Sequence, residues 1–156
     1  MLKNPIDPHW QLSPKADEFV QSACTVVRAA LSLPICPEHR DQLIDWALWK
    51  VTEAGEKSND KYNTRYCSFM ALRATNWKPQ HEHVFTKKSL RDAILQRPAD
   101  HERIMRTAVG CVVTVDEHRL LSKQKEHQGW ARCAAAGVRV WDRLEGREMK
   151  FNEPES

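Results

Sequence analysis

The stretch HEHVFTKK, residues 81–88, concentrates side chains that could carry out acid–base or metal chemistry. Two imidazoles flank the carboxylate of Glu82, and two lysines follow. A nuclease that uses one divalent cation needs a base to activate water, carboxylate or imidazole ligands for the cation, and positive charge near the phosphate. Glu82 and His83 are therefore candidates for a ligand and a base. A polar turn held by ordinary hydrogen bonds is the alternative interpretation.

A third candidate, His118, lies in the segment VVTVDEHRLL. The run from Val109 to Val113 is apolar and β-rich, which predicts a short strand. Thr114 and Glu117 then have the spacing of a capping box, which predicts that a helix begins there with His118 in its first turn. A helix N-terminus disfavours a protonated imidazole, and this is compatible with metal binding. Ordinary polar contacts at a helix start are the alternative.

Three basic residues, Arg65, Lys87 and Lys88, are candidates for contact with phosphate. Arg65 belongs to a basic and aromatic cluster that could stack on nucleic acid, or could simply form the edge of a helix. The formal net charge is +3, from 24 Lys and Arg against 21 Asp and Glu. This balance is too mild to require a polyanionic partner.

Two segments resemble the HNH, or ββα-metal, nucleases. Glu82-His83-Val84 resembles the acidic-His-aliphatic start of the family motif, and VVTVDEHRLL is similar to its later part, in which a strand or loop leads into a helix with a metal-binding histidine. The region of resemblance is residues 78–127. The chain departs from the pattern because Thr86-Lys87 replaces the usual proline and a helical insertion separates the two parts.

The resemblance implies a function and roles for the candidate residues. Glu82 and His118 would bind a divalent metal ion, Mg²⁺ or Zn²⁺, and His83 would be the general base. DNA or RNA would be the substrate, so the protein would be a metal-dependent phosphodiesterase of degenerate HNH-like type.

The first part of the chain has the pattern of an antiparallel helical hairpin, residues 14–55. Apolar residues at helical spacing, delimited by prolines, predict helices over 14–33 and 37–54. The second of these helices is apolar around most of its circumference. This helix should therefore be central or should face a partner, and we expect Leu43 and Trp46 to be substantially buried.

The second part, residues 62–141, has a mixed pattern with two or three short strands. A short helix is expected through RYCSFMALRAT, residues 65–75, and the charged segment 143–156 reads as a flexible tail. Together the two parts predict one domain over 1–156 with a mostly α, α+β fold.

Six tryptophans in 156 residues support a different class of function. Trp46 and Trp49 lie in the second predicted helix, and tryptophan is enriched at binding hot spots as well as in cores. The chain could be a non-catalytic interaction protein: a homodimer, or an accessory or inhibitor protein that binds a larger complex through Trp46 and Trp49. An enzyme should bring Glu82, His83 and His118 together in a cleft, whereas an interaction protein need not.

Composition also bears on location. No apolar run approaches the roughly 18 residues that span a bilayer, so we expect no membrane association. The N-terminal segment lacks the apolar stretch of a secretion signal, which predicts the cytoplasm. The five cysteines are scattered and form no C-x-x-C pair, so we expect reduced, mostly buried thiols rather than disulfides or a zinc site.

Overall fold

A computed structural model describes residues 6–53, 61–75 and 77–151. Within these ranges the chain forms seven α-helices and one five-stranded mixed sheet, which confirms the mostly α, α+β fold. The elements are α1 (Ala16–Ser32), α2 (Pro37–Thr52), β1 (Tyr66–Ser68), α3 (Phe69–Arg73), β2 (Gln80–His83), α4 (Lys87–Gln96), α5 (His101–Met105), β3 (Gly110–Val113), α6 (Val115–Lys123), α7 (Trp130–Ala135), β4 (Val140–Asp142) and β5 (Arg147–Glu148). In the described part of the chain, no helix has the length and apolar character needed to cross a bilayer.

The predicted N-terminal helical hairpin is confirmed, as α1 and α2 pack against each other. Residue 55, where the hairpin was expected to end, lies outside the described residues. The expected burial of Leu43 and Trp46 is wrong, because 36% of Leu43 and 50% of Trp46 are exposed. The buried stripe of α2 consists of residues at helical spacing: Ile44, Ala47, Leu48 and Val51. Leu43 and Trp46 lie beside this stripe, on a side that the described chain covers only in part.

The sheet has the order β2-β3-β1-β4-β5. β2 and β3 are antiparallel, with Glu82 opposite Cys111 and His83 opposite Gly110. β1 runs parallel to β3 and antiparallel to β4. Helix α6 begins almost directly after β3, so β2, β3 and α6 together form a ββα unit into which α4 and α5 are inserted.

The segment 65–75 differs from the single helix expected for it. Strand β1 comes first, because Tyr66 and Cys67 pair with strands on both sides in the middle of the sheet. The Ser68 hydroxyl then accepts a hydrogen bond of 3.0 Å from the amide of Ala71 and caps α3. The strand thus precedes a helix of only five residues.

The segment 143–156 was expected to be a flexible tail, but a strand lies within it. β5 pairs with β4, and the Asp142 carboxylate accepts hydrogen bonds from the amides of Leu144 and Glu145 in the connecting turn. The buried guanidinium of Arg143 donates to the carbonyl of Thr64 at 2.7 Å. These contacts hold residues 143–151 against the sheet, and residues 152–156 lie outside the described part.

Candidate functional site

The ββα unit brings Glu82 and His118 into direct contact. The Nδ1 of His118 lies 2.5 Å from Oε2 of Glu82, where β2 meets the first turn of α6. Glu82 is buried, with 8% of its surface exposed, while 43% of the His118 side chain is exposed. An ionised carboxylate only accepts hydrogen bonds, so the imidazole donates its Nδ1–H. Nε2 is then the acceptor nitrogen of the neutral ring.

The position of His118 depends on the N-terminus of α6. Thr114 and Glu117 form the predicted capping box, with both reciprocal hydrogen bonds present. The buried Glu117 carboxylate also accepts a hydrogen bond of 2.5 Å from the hydroxyl of Ser68, at the end of β1. The cap therefore ties the start of α6 to the middle of the sheet, and His118 follows directly.

Arg132 of α7 completes the cluster, and sequence reasoning did not select it. Its guanidinium pairs with Oε1 of Glu82, and only 5% of the residue is exposed. Burial lowers the pKa of the Arg132 guanidinium, and an electrostatic contribution from the adjacent Cys133 partly opposes this effect. Its Nε is buried and has no hydrogen-bond partner among the described residues. The available signal was an arginine inside the alanine-rich run ARCAAAG, since a buried arginine needs an acidic partner.

A cavity of about 370 Å³ adjoins this cluster. Glu82 and Arg132 line it, together with polar side chains that include Lys125, Gln124 and Gln128. His118 is outside the lining, but it contacts the same Glu82 carboxylate. The cavity thus has a buried cation on its wall and amide and ammonium donors around it.

The structure does not bring His83 to this cluster. Neighbouring residues of a strand point to opposite faces, so His83 leaves the sheet on the side away from Glu82. There its ring lies 4.9 Å from Trp49 and 5.1 Å from His81, between ring centroids. Burial is the main cause that lowers the pKa of His83, to about 3. Electrostatic contributions from His81 and Lys87 act in the same direction. Its Nε2 is buried without a hydrogen-bond partner in the described part of the chain.

The three basic candidates are each engaged within the chain, away from the Glu82 carboxylate. Arg65 donates two hydrogen bonds, of 2.9 and 2.6 Å, to the carboxylate of Asp142. Lys87 lies over the ring of Trp49, at 5.0 Å from its centroid. Lys88 forms an exposed ion pair of 2.6 Å with Asp92 on α4. Their assignment to phosphate binding stays a prediction.

The two interface candidates differ in accessibility. Trp49 is partly buried and contacts the rings of His81 and His83. Trp46 is half exposed, with Lys50 lying 5.9 Å from its ring centroid. Trp46 is therefore the more available of the two for contact with another molecule.

The cluster does not fit the divalent ion that the HNH resemblance implies. One oxygen of Glu82 is occupied by Arg132 and the other by His118. Among the described residues, no group of three or more His, Cys, Asp or Glu side chains is arranged to hold a metal ion. In this arrangement the guanidinium of Arg132 has the place next to the carboxylate that a cation would need.

Burial disfavours Cys67 and Cys133 as nucleophiles. Cys24, Cys67, Cys111 and Cys133 are buried free thiols, and Cys36 is exposed. Burial raises the pKa of Cys67 to about 12 and that of Cys133 to about 11. These two thiols are protonated at neutral pH, and only the thiolate is strongly nucleophilic.

Comparison of the chain with protein-family models, with curated proteins and with solved structures gives no significant match.

Proposed function

We propose that the protein acts on nucleic acid as a phosphodiesterase of degenerate HNH-like type, with its centre at Glu82 and His118. The observation that carries this proposal is the 2.5 Å contact between these two side chains. They lie on the first strand and the helix of a ββα unit, the positions for which the resemblance implied metal ligands. A contact between residues 36 positions apart in the chain supports a common role for them.

The arrangement is suited to general acid–base catalysis. A carboxylate that accepts the Nδ1–H of an imidazole fixes the tautomer and leaves Nε2 to accept a proton. His118 is half exposed, so this nitrogen can be reached by a substrate. The guanidinium of Arg132 provides positive charge near the reacting phosphate. The proposal therefore assigns the base role to His118, whereas the sequence had suggested His83.

Cleavage of labelled oligonucleotides tests this function. We expect the wild-type protein to cleave DNA or RNA, and His118→Ala to lower the rate by about 10²- to 10⁴-fold, the usual contribution of a general base. His39→Ala is a matched control, because His39 is an exposed histidine on α2. A wild-type rate no higher than that of His118→Ala would rule the proposal out.

We assign this activity to the cytoplasm. The free cysteines, four of them buried, fit a reducing compartment. A preparation in which the native protein carries disulfides would contradict this assignment.

A second candidate function, a non-catalytic interaction protein, is favoured by one separate observation. Leu43 and Trp46 are neighbours at helical spacing on α2, and both are substantially exposed. Tryptophan is enriched at binding hot spots, and the exposed Leu43 extends the apolar surface around Trp46. This surface would serve a homodimer or a partner protein.

A further inference from the structure

We infer that the substrate is RNA, cleaved without a divalent ion, and that Arg132 takes the place of the cation beside Glu82. This inference rests on the proposed function, because it names the substrate class and the charge partner of the same site. It departs from the metal dependence that the HNH resemblance implies.

Arg132 has the properties of a built-in cation. The residue is buried, lines the cavity, and contacts Oε1 of Glu82. A guanidinium has five N–H donors, and its Nε has no partner among the described residues. The remaining donors match the oxygens of a phosphodiester, for which arginine has a suitable planar geometry. Lys125 and Gln128 of the same cavity add donors for the flanking backbone.

One carboxylate holds both the imidazole and the guanidinium. His118 contacts Oε2 of Glu82 and Arg132 contacts Oε1, so the two groups are neighbours. His118 does not line the cavity, so a phosphodiester bound to Arg132 has to extend past Glu82 to reach the imidazole. The base and the charge-stabilising group are then both positioned by Glu82.

Because Arg132 and His118 engage both oxygens of Glu82, the inference assigns the nucleophile to the substrate rather than to a metal-bound water. Without a metal ion to acidify water, attack by an external water is slow. The 2′-hydroxyl of RNA lies next to its own phosphate, and well-oriented intramolecular groups reach effective concentrations of about 10⁵ to 10⁸ M. DNA lacks this hydroxyl, so the site would distinguish RNA from DNA.

The chemical step is a transesterification. Nε2 of His118 removes the proton from the 2′-hydroxyl, and the 2′ oxygen forms a bond to phosphorus. The bond between phosphorus and the 5′ oxygen breaks, and the departing oxygen takes a proton from water. The products are a 2′,3′-cyclic phosphate and a 5′-hydroxyl, and the proton on His118 is returned to solvent. Arg132 stabilises the negative charge on the phosphoryl oxygens during the step.

The experiment compares three oligonucleotides of one sequence: all RNA, all DNA, and RNA with one 2′-deoxy position. Each is incubated with the full chain in excess EDTA and, separately, with Mg²⁺, and the products are identified by mass spectrometry. We expect RNA to be cleaved at the same rate in both buffers, with cyclic phosphate ends. DNA and the bond that follows the 2′-deoxy position should stay intact.

Two variants examine the assigned roles. His118→Ala should lower the rate in EDTA by about 10²- to 10⁴-fold. Arg132→Lys keeps the charge but loses the planar array of donors, so it should also slow cleavage. Circular dichroism shows whether each variant is folded. If folded Arg132→Lys cleaves RNA as fast as the wild type, Arg132 does not have this role.

The possible results separate this inference from the proposed function. Cleavage that requires Mg²⁺, or cleavage of DNA, would overturn the inference and leave the nuclease function standing. Hydrolysis of neither polymer in either buffer would overturn both.

Discussion

Glu82 is the residue on which the candidate site depends, because its buried carboxylate is shared by a guanidinium and an imidazole. A buried ion pair of this kind contributes little net stability compared with apolar packing, yet losing one partner is costly. The same carboxylate therefore positions the catalytic groups and makes the fold sensitive to its removal.

The first prediction concerns Glu82→Gln. The substitution keeps the shape of the side chain but leaves Arg132 buried without a carboxylate. We expect the free energy of unfolding to fall by about 3 to 5 kcal/mol, measured by urea denaturation. Asp92→Asn is the control, because the Lys88–Asp92 pair is exposed and such pairs are worth about 0.3 to 0.5 kcal/mol. Similar losses in the two variants would show that Glu82 does not hold Arg132.

The second prediction concerns His83 and pH. Burial lowers the pKa of His83 to about 3 in the folded protein, against about 6.5 in an unfolded chain. Below pH 6.5 the unfolded state binds a proton that the folded state excludes. The contribution of His83 to the free energy of unfolding is therefore fully present above this pH. It falls as the pH decreases towards 3, by up to about 1.4 kcal/mol per pH unit.

Replacement by Phe removes this titration and keeps an aromatic ring against Trp49. We expect His83→Phe to show a shallower decline in the free energy of unfolding between pH 6.5 and 4 than the wild type. The pKa of His81 is also lowered by burial, so part of the decline should remain. His39→Phe, at an exposed position, should leave the slope unchanged. An unaltered slope in His83→Phe would mean that His83 is protonated in the folded state.

Among single residues, the contact between Glu82 and His118 was predictable from the sequence, and the contact between Glu82 and Arg132 was missed. Glu82 and His118 were selected because of their types and their positions next to apolar segments, and the fold brings them together. His83 was grouped with them because it is next to Glu82 in the chain. Consecutive residues of a strand have their side chains on opposite faces of the sheet, so His83 lies away from the cluster. Arg132 lies 50 positions from Glu82, and a pairing of that range cannot be read from local patterns.

At the scale of elements, the cap of α6 connects stability to the site. The hydroxyl of Thr114 accepts from the amide of Glu117, and Glu117 in turn is bonded to Ser68. This cap fixes the first turn of α6, in which His118 lies.

The third prediction follows from that cap. Thr114→Ala should lower the free energy of unfolding by about 1 to 2 kcal/mol, the upper part of the range for loss of an N-cap. Thr25→Ala is the control, since Thr25 is exposed in the middle of α1 and should change stability by less than about 0.5 kcal/mol. Chemical denaturation gives the free energy of unfolding of both variants. Equal losses in the two would contradict a stabilising role for the Thr114 cap.

Elements with strong local signals were predictable. Prolines delimited the hairpin, an apolar run gave β3, and a capping box gave α6. Strand β1 was missed because three residues are too few to display a period of two, and its extended form depends on pairing with β3 and β4. β5 was missed for the same reason, since its two residues are charged and depend on β4 for their position.

At the scale of the whole molecule, α2 presents apolar surface that the described chain leaves uncovered. The apolar pattern around this helix predicted either a central position or contact with a partner, and only the stripe facing α1 and α4 is buried. Trp46 and Leu43 remain on the outside. An apolar pattern shows that a face needs covering, but it does not show whether the same chain or another molecule covers it.

The last prediction is that this surface mediates self-association. Burial of an indole and a neighbouring leucine between two copies would remove apolar surface from water, which favours association. We expect sedimentation at increasing protein concentration to show a dimer, and Trp46→Glu to shift the protein to monomer because a buried unpaired carboxylate opposes the contact. Half of the Trp46 surface is exposed in the isolated chain, so the variant should stay folded, and circular dichroism checks this. Met70→Glu introduces the same charge at an exposed apolar position on α3 and should leave the dimer intact. A wild-type protein that sediments as a monomer at every concentration would exclude the homodimer, and the exposed Trp46 would then point to a different protein as its partner.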